Sequence, residues 1–126
     1  MGRVQIEQHN GQRVVTIDCR NCKPAELIDI IDEVKQLVTS QPLHSLHTLT
    51  DYTGAEFDRE TLERMKLVAA MDRPHIIRAA LIGVDTLPDQ YHKAMQNFSA
   101  RQFAVFKTRE EALAYLTQDG AQEQTA

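Results

Sequence analysis

A chain of 126 residues, 42% apolar and 25% charged, is the size and composition of one globular domain. Such a chain buries about two-thirds of its unfolded surface and needs no disulfide or metal staple. Its formal charge of −4 argues against a nucleic-acid binder, which needs a basic stripe to displace phosphate counterions.

The nearest approach to a basic cluster is Arg59, Arg64, Lys66, Arg73 and Arg78, and Asp58, Glu60, Glu63 and Asp72 interleave with it. No apolar run approaches the ~20 residues of a membrane span. Residues 1–6 contain no apolar secretory core, and Ile6 occupies the position where a myristoylation signal requires Ser or Thr. These features read as a cytoplasmic protein whose two cysteines are reduced.

Val4 and Ile6 alternate with Gln5 and Glu7, the pattern of a half-buried strand. Asn10-Gly11 is a type I′ hairpin signal, and Val14 to Asp18 is the returning strand. Pro24 opens a helix in the first-turn position that tolerates proline. Leu27, Ile31, Val34 and Val38 form one face of that helix, which Ile30 and Leu37 widen. Leu46 to Asp51 reads as a buried strand, followed by a loop at Tyr52 to Glu56. Asp58 is the expected N-cap of a second helix, with Phe57 and Leu62 at the staple positions around it. Leu62, Met65 and Ala69 are its expected apolar stripe, and Arg73-Pro74 ends it.

Ile76 to Val84 is the most apolar strand, interrupted by Arg78, and suits a central position covered on both faces. Thr86 with Asp89 is the expected cap of a third helix whose inner face carries Leu87, Tyr91, Met95 and Phe98. Phe103 to Phe106 is the last strand. Thr108-Arg109-Glu110-Glu111 is a capping box for a last helix with Ala112, Tyr115 and Leu116 inward. The expected architecture is an α/β mixed sheet in the order β-β-α-β-α-β-α-β-α. Right-handed crossovers make its last four strands largely parallel. One domain is expected over residues 1–120, with a disordered tail at 121–126.

Ligands of open α/β sheets meet the carboxyl ends of the strands. That rim gathers residues 18–22, 51–58, 83–86 and 107–109. Cys19-Arg20-Asn21-Cys22 has the spacing of a redox pair, but Pro24 starts the helix beyond both cysteines, where its N-terminus cannot activate the first thiol. Cys19, Cys22, His44 and His47 imitate a zinc set, yet parallel strands carry the two pairs to opposite edges, and no metal is expected. His47 reads as a hydrogen-bonded core residue. Asp51 and Asp18 could serve as paired carboxylates, but a strand-end Asp more often caps loop amides. The chain has neither a nucleophile elbow nor a phosphate-cradling glycine loop.

Four stretches together resemble the stand-alone SpoIIAA-like proteins of the STAS (sulfate transporter and anti-sigma factor antagonist) type. They are Leu49-Thr50-Asp51-Tyr52-Thr53-Gly54, Ala79-Ala80-Leu81-Ile82-Gly83-Val84, Asn97-Phe98-Ser99-Ala100-Arg101, and the run from Phe106 to Leu116. The similarity spans roughly residues 3 to 118. It implies a non-enzymatic regulatory or protein-interaction domain without a cofactor, working through the loop that enters the second helix. Anti-sigma antagonists present a phosphorylatable Ser there within Asp-Ser-Ser-Gly. In this chain Arg59 and Glu60 follow Asp58 in place of the serines, and Thr61 is displaced into the helix.

The candidate ligand- or partner-binding residues are Asp51, Tyr52, Thr53, Gly54, Phe57, Asp58, Arg59, Glu60, Gly83, Thr86 and Tyr91. Two other readings remain. One is a carrier or sensor of a small apolar or anionic ligand, in keeping with the grouping of SpoIIAA-like proteins with CRAL-TRIO lipid-binding folds; its pocket would use Phe57, Tyr91, Met95 and Phe98. The other is a thiol redox protein using Cys19 and Cys22. A homodimer is an option because a hairpin edge invites strand pairing.

Overall fold

The computed structural model describes residues 3–102 and 104–118. Strands β1 (Val4–His9) and β2 (Gln12–Asp18) form the expected hairpin. Its turn puts Asn10 at φ 52° and Gly11 at φ 77°, the paired left-handed conformations of a type I′ turn. Helix α1 (Pro24–Thr39) leads to β3 (Leu46–Asp51), and α2 (Arg59–Asp72) leads through a 3-10 turn at Arg73–His75 to β4 (Ile76–Ile82). A second 3-10 turn (Val84–Thr86) precedes α3 (Asp89–Gln102), followed by β5 (Ala104–Phe106) and α4 (Arg109–Leu116). Phe103 and the expected tail at 121–126 lie outside the described residues.

The five strands lie in chain order, β1-β2-β3-β4-β5, antiparallel between the first two and parallel thereafter. This order has a geometric consequence. Right-handed crossovers that always step in the same direction place every crossover helix on one face of the sheet. Helices α1, α2 and α3 therefore share a face, and the main core lies beneath them. It includes Val15, Ile17, Leu27, Ile31, Val38, Met65, Leu81 and Met95. Among the described residues, α4 alone covers the opposite face. Ala112 and Leu116 seal Val14, Leu49, Ala80 and Ile82 in a second, smaller core.

Local chemistry explains the helix boundaries. Glu26 accepts a hydrogen bond from the Lys23 backbone N–H (2.9 Å), filling one donor at the start of α1. Asp58 caps α2 by accepting from the Thr61 backbone N–H (2.8 Å). Thr108 and Glu111 form the reciprocal box of α4 at 3.1 and 3.3 Å. Arg78, the one charge within β4, lies over the Tyr115 ring at 5.6 Å. Its guanidinium donates to the Tyr115 and Leu116 carbonyls at 3.1 and 3.3 Å. It therefore satisfies carbonyls left open at the end of α4, where a cation is also favoured by the helix dipole.

Two expectations need correction. Thr86 does not cap α3: the helix begins at Asp89, the Tyr91 and His92 amides donate to the Pro88 carbonyl at 2.9 Å, and the Thr86 hydroxyl is engaged by Gly54 and Gly83. The stripe of α2 is also rotated. Thr61, Met65, Val68 and Asp72 are its buried positions, while Leu62 and Ala69 flank them half-buried. Asp72, which alternates with basic residues in the sequence as a surface charge would, is 3% exposed. Leu67 and Met71 face outward instead.

Candidate functional site

The carboxyl ends of β2, β3 and β4 carry three loops, and backbone hydrogen bonds tie them into one surface. Asn21 N–H donates to the Thr53 carbonyl and Cys19 N–H to the Asp51 carbonyl, both at 2.9 Å. Glu56 N–H donates to the Cys22 carbonyl (2.8 Å), and Tyr52 N–H to the Ile82 carbonyl (2.9 Å). Thr86 supplies the third tie: its hydroxyl accepts from Gly54 N–H (2.9 Å) and donates to the Gly83 carbonyl (2.7 Å). This bridging role replaces the capping role expected of it.

Glycine is required at two points of this surface. Gly83 has φ +82°, and a Cβ there would run into the backbone of Thr53. Gly54 has φ +69°, and its Cβ would strike the Asn21 side-chain amide. At Gly83 the loop backbones approach too closely for a side chain, whereas at Gly54 the Asn21 side chain would have to move.

Asp51 behaves as a turn-capping residue. Its Oδ1 accepts from Thr53 N–H (2.9 Å) and from the Thr53 hydroxyl (2.6 Å). Asp18 stands beside Asp51 in the strand register, as the sequence allowed. It is held by Arg20 through Nε (2.9 Å) and Nη2 (3.0 Å), and these bonds keep its carboxyl below the usual range. Both carboxylates line a polar cleft of about 270 Å³ on the α4 face. Arg3, Glu7, Thr16 and Arg109 complete its walls, and Arg109 pairs with Glu7 at 3.3 Å.

The aromatic residues lie beneath the loops. Tyr52 is buried with its ring edge-on to Phe57, centroids 5.2 Å apart, and Phe57 contacts Tyr91 at 6.0 Å. Phe57, Tyr91 and Met95 pack into the main core, and the side chain of Phe98 lies outside the described residues. Burial, with Cys19 beside it, holds the Tyr52 hydroxyl in its neutral form. At the surface, Thr53, Gly54, Glu56, Asp58, Arg59 and Glu60 are exposed around the start of α2. Asp58 is held below the usual carboxylate range by its cap bond from Thr61. Thr61 is 1% exposed, and its hydroxyl lies 2.9 Å from both the Asp58 carbonyl and the Asp58 carboxylate. No kinase can reach that hydroxyl while the first turn of α2 is folded.

The structure brings Asp51, Tyr52, Thr53, Gly54, Gly83 and Thr86 together, with Phe57 and Tyr91 below. Asp58, Arg59 and Glu60 continue the surface along α2. Cys19 and Cys22 are both buried, and burial raises both thiols, with Cys22 adding to the effect on Cys19. An attacking thiol needs the opposite change. His47, 1% exposed, bonds Gln12 through Nε2 at 3.0 Å, as a core histidine should. Among the described residues no three His, Cys, Asp or Glu side chains are placed to hold a metal ion. No helix among them is long and apolar enough to cross a membrane.

The interior holds a feature that no sequence pattern signals. Between α1, α2 and the sheet lies a cavity of about 70 Å³. Asp72 forms part of its wall, and among the described residues no hydrogen-bond donor meets its Oδ1. Burial pushes the Asp72 carboxyl up to about 7, against the opposing charges of His75 and Lys35.

An N-terminal hairpin, a five-stranded mixed sheet in chain order and a loop rim at the start of α2 define the STAS fold. The chain superposes on a solved anti-sigma-factor antagonist (STAS) domain protein from Planctomyces limnophilus with a TM-score of 0.54. The two share 16% sequence identity, over 91% of this chain and 98% of that one. No protein-family model and no curated protein matches the chain.

Proposed function

We propose that this protein is a non-enzymatic regulatory module that docks a partner protein through residues 52–64, from the β3–α2 loop into α2. The observation that carries this reading is the braced rim. Three loops are locked to one another by backbone bonds, and the exposed residues they present are consequently fixed before any partner arrives. Pre-organisation of this kind lowers the ordering cost of association. The likeness in fold to an anti-sigma-factor antagonist points to the same class of role.

Regulation at this surface would not use the phosphorylated serine of such antagonists. Arg59 and Glu60 follow the cap residue, and the only hydroxyl in the first turn of α2 is the buried Thr61. The partner would instead meet an exposed pair of opposite charges, which favours recognition by charge complementarity. We place the protein in the cytoplasm on this reading. A charge-swapped variant, Arg59→Glu with Glu60→Arg, tests it. Both side chains are exposed, so the fold should survive. A partner recovered with the wild-type protein and lost with the swap supports the docking surface. Equal recovery with both proteins places the interface elsewhere and rejects the reading.

A further inference from the structure

A carboxyl oxygen buried without a hydrogen-bond donor is costly, and it requires an explanation. Oδ1 of Asp72 is such an atom among the described residues. Asp72 is the last residue of α2, on the stripe that faces the sheet, and residues 73–75 turn the chain into β4 directly after it. The space it borders is apolar along most of its wall, with Ile31 and Val34 from α1, Met65 and Val68 from α2, and Ile76 and Leu81 from β4, while Thr48, Thr50 and Tyr52 add hydroxyl groups on the sheet side. Lys35 and His75 are near enough to oppose the effect of burial on the carboxyl.

An apolar chamber with one unmet acceptor has a definite chemical complement. We propose that the cavity between α1, α2 and the sheet is a binding site for a short aliphatic molecule that ends in a hydrogen-bond donor, an amine or an alcohol, with the donor on Asp72. The apolar wall takes the chain, and the donor satisfies Oδ1. A carboxylate of the same length is excluded, since it has no donor and carries the charge of Asp72. Size restricts the ligand further. The space is about 70 Å³, about half the volume of a cavity that admits benzene, so only a short aliphatic segment lies within it. The site shares Tyr52 with the docking segment, but the proposal does not rest on that surface.

The test is a methyl-NMR titration of the full 126-residue chain at pH 8 with n-butylamine, n-butanol and butyrate as probes. The methyl groups of Ile31, Val34 and Met65 report on the cavity directly. Either donor-headed probe should shift them saturably, and butyrate should not; the two donor arms show whether the head is an ammonium or a hydroxyl. Asp72→Asn keeps the size of the side chain and removes its charge. It should weaken binding of the donor probe by about tenfold, the scale of one charge-assisted hydrogen bond. The proposal is overturned if butyrate binds as well as the donor probes. It is overturned equally if Asp72→Asn leaves binding unchanged, or if no probe shifts these methyls and the cavity holds only water.

Discussion

Replacing Asp72 by Asn should change how the stability of this protein depends on pH. Burial raises the carboxyl from its ordinary value of 3.8 to about 7. The folded protein therefore holds this proton over a range where the unfolded chain has released it. Stability drawn from Asp72 is then complete below about pH 4 and is lost progressively as pH rises through about 7. A tenfold difference in proton affinity between the two states is worth about 1.4 kcal/mol. The rise from 3.8 to about 7, discounted for solvent that reaches the end of α2, gives a loss of about 2–4 kcal/mol between pH 4 and pH 8. Asp72→Asn resembles the protonated acid and loses nothing over the same range. Urea unfolding of both proteins at intervals from pH 4 to pH 8 measures the difference directly. The two should be of similar stability at pH 4, and the variant should be the more stable at pH 8. Parallel pH profiles would refute the reasoning, since every other titrating group is common to both proteins.

Other substitutions test the remaining parts of the structure. Gly83→Ala combines a left-handed backbone with a collision against Thr53, and should lower stability by about 2 kcal/mol in thermal or urea unfolding. Arg78→Met removes the donor from the last carbonyls of α4. It should cost about 1–3 kcal/mol and speed amide exchange in α4 above all other elements. Cys19 and Cys22 should resist a thiol reagent at pH 8 in the folded protein and react rapidly once urea unfolds it. Rapid labelling of the native state would restore the redox reading.

Much of the fold is local and was therefore legible. Asn10-Gly11 specifies the hairpin turn without help from the rest of the chain. The spacing of Leu27, Ile31, Val34 and Val38 defines α1, and Thr108 with Glu111 marks the start of α4. The rim was legible as a location, because it follows from parallel topology and strand ends. Its bracing was not. Thr86 meets Gly54 across 32 positions, and no local pattern distinguishes that contact from a helix cap. Asp72 was hidden for a different reason. An acid in a segment that also carries Glu63, Lys66 and Arg73 looks like part of a solvated face, although it lies four residues beyond Val68 and seven beyond Met65, on the buried stripe. Arg78 is a defect in an apolar strand when β4 is taken alone; α4, some forty residues later, supplies the carbonyls it serves.

The one-sided placement of α1, α2 and α3 also bears on the order in which the protein matures during synthesis. The hairpin and α1 can form as they emerge, since their contacts are close in the chain. Val14, emerging early, has no cover on the α4 side of the sheet until Ala112 and Leu116 have been made. For most of translation, Val14, Leu49, Ala80 and Ile82 would form an exposed greasy strip on a nascent sheet, the kind of surface that chaperones hold and aggregates recruit. A stop codon anywhere between residues 108 and 116 would therefore do more harm than the loss of one short helix implies, because it would leave that strip open permanently.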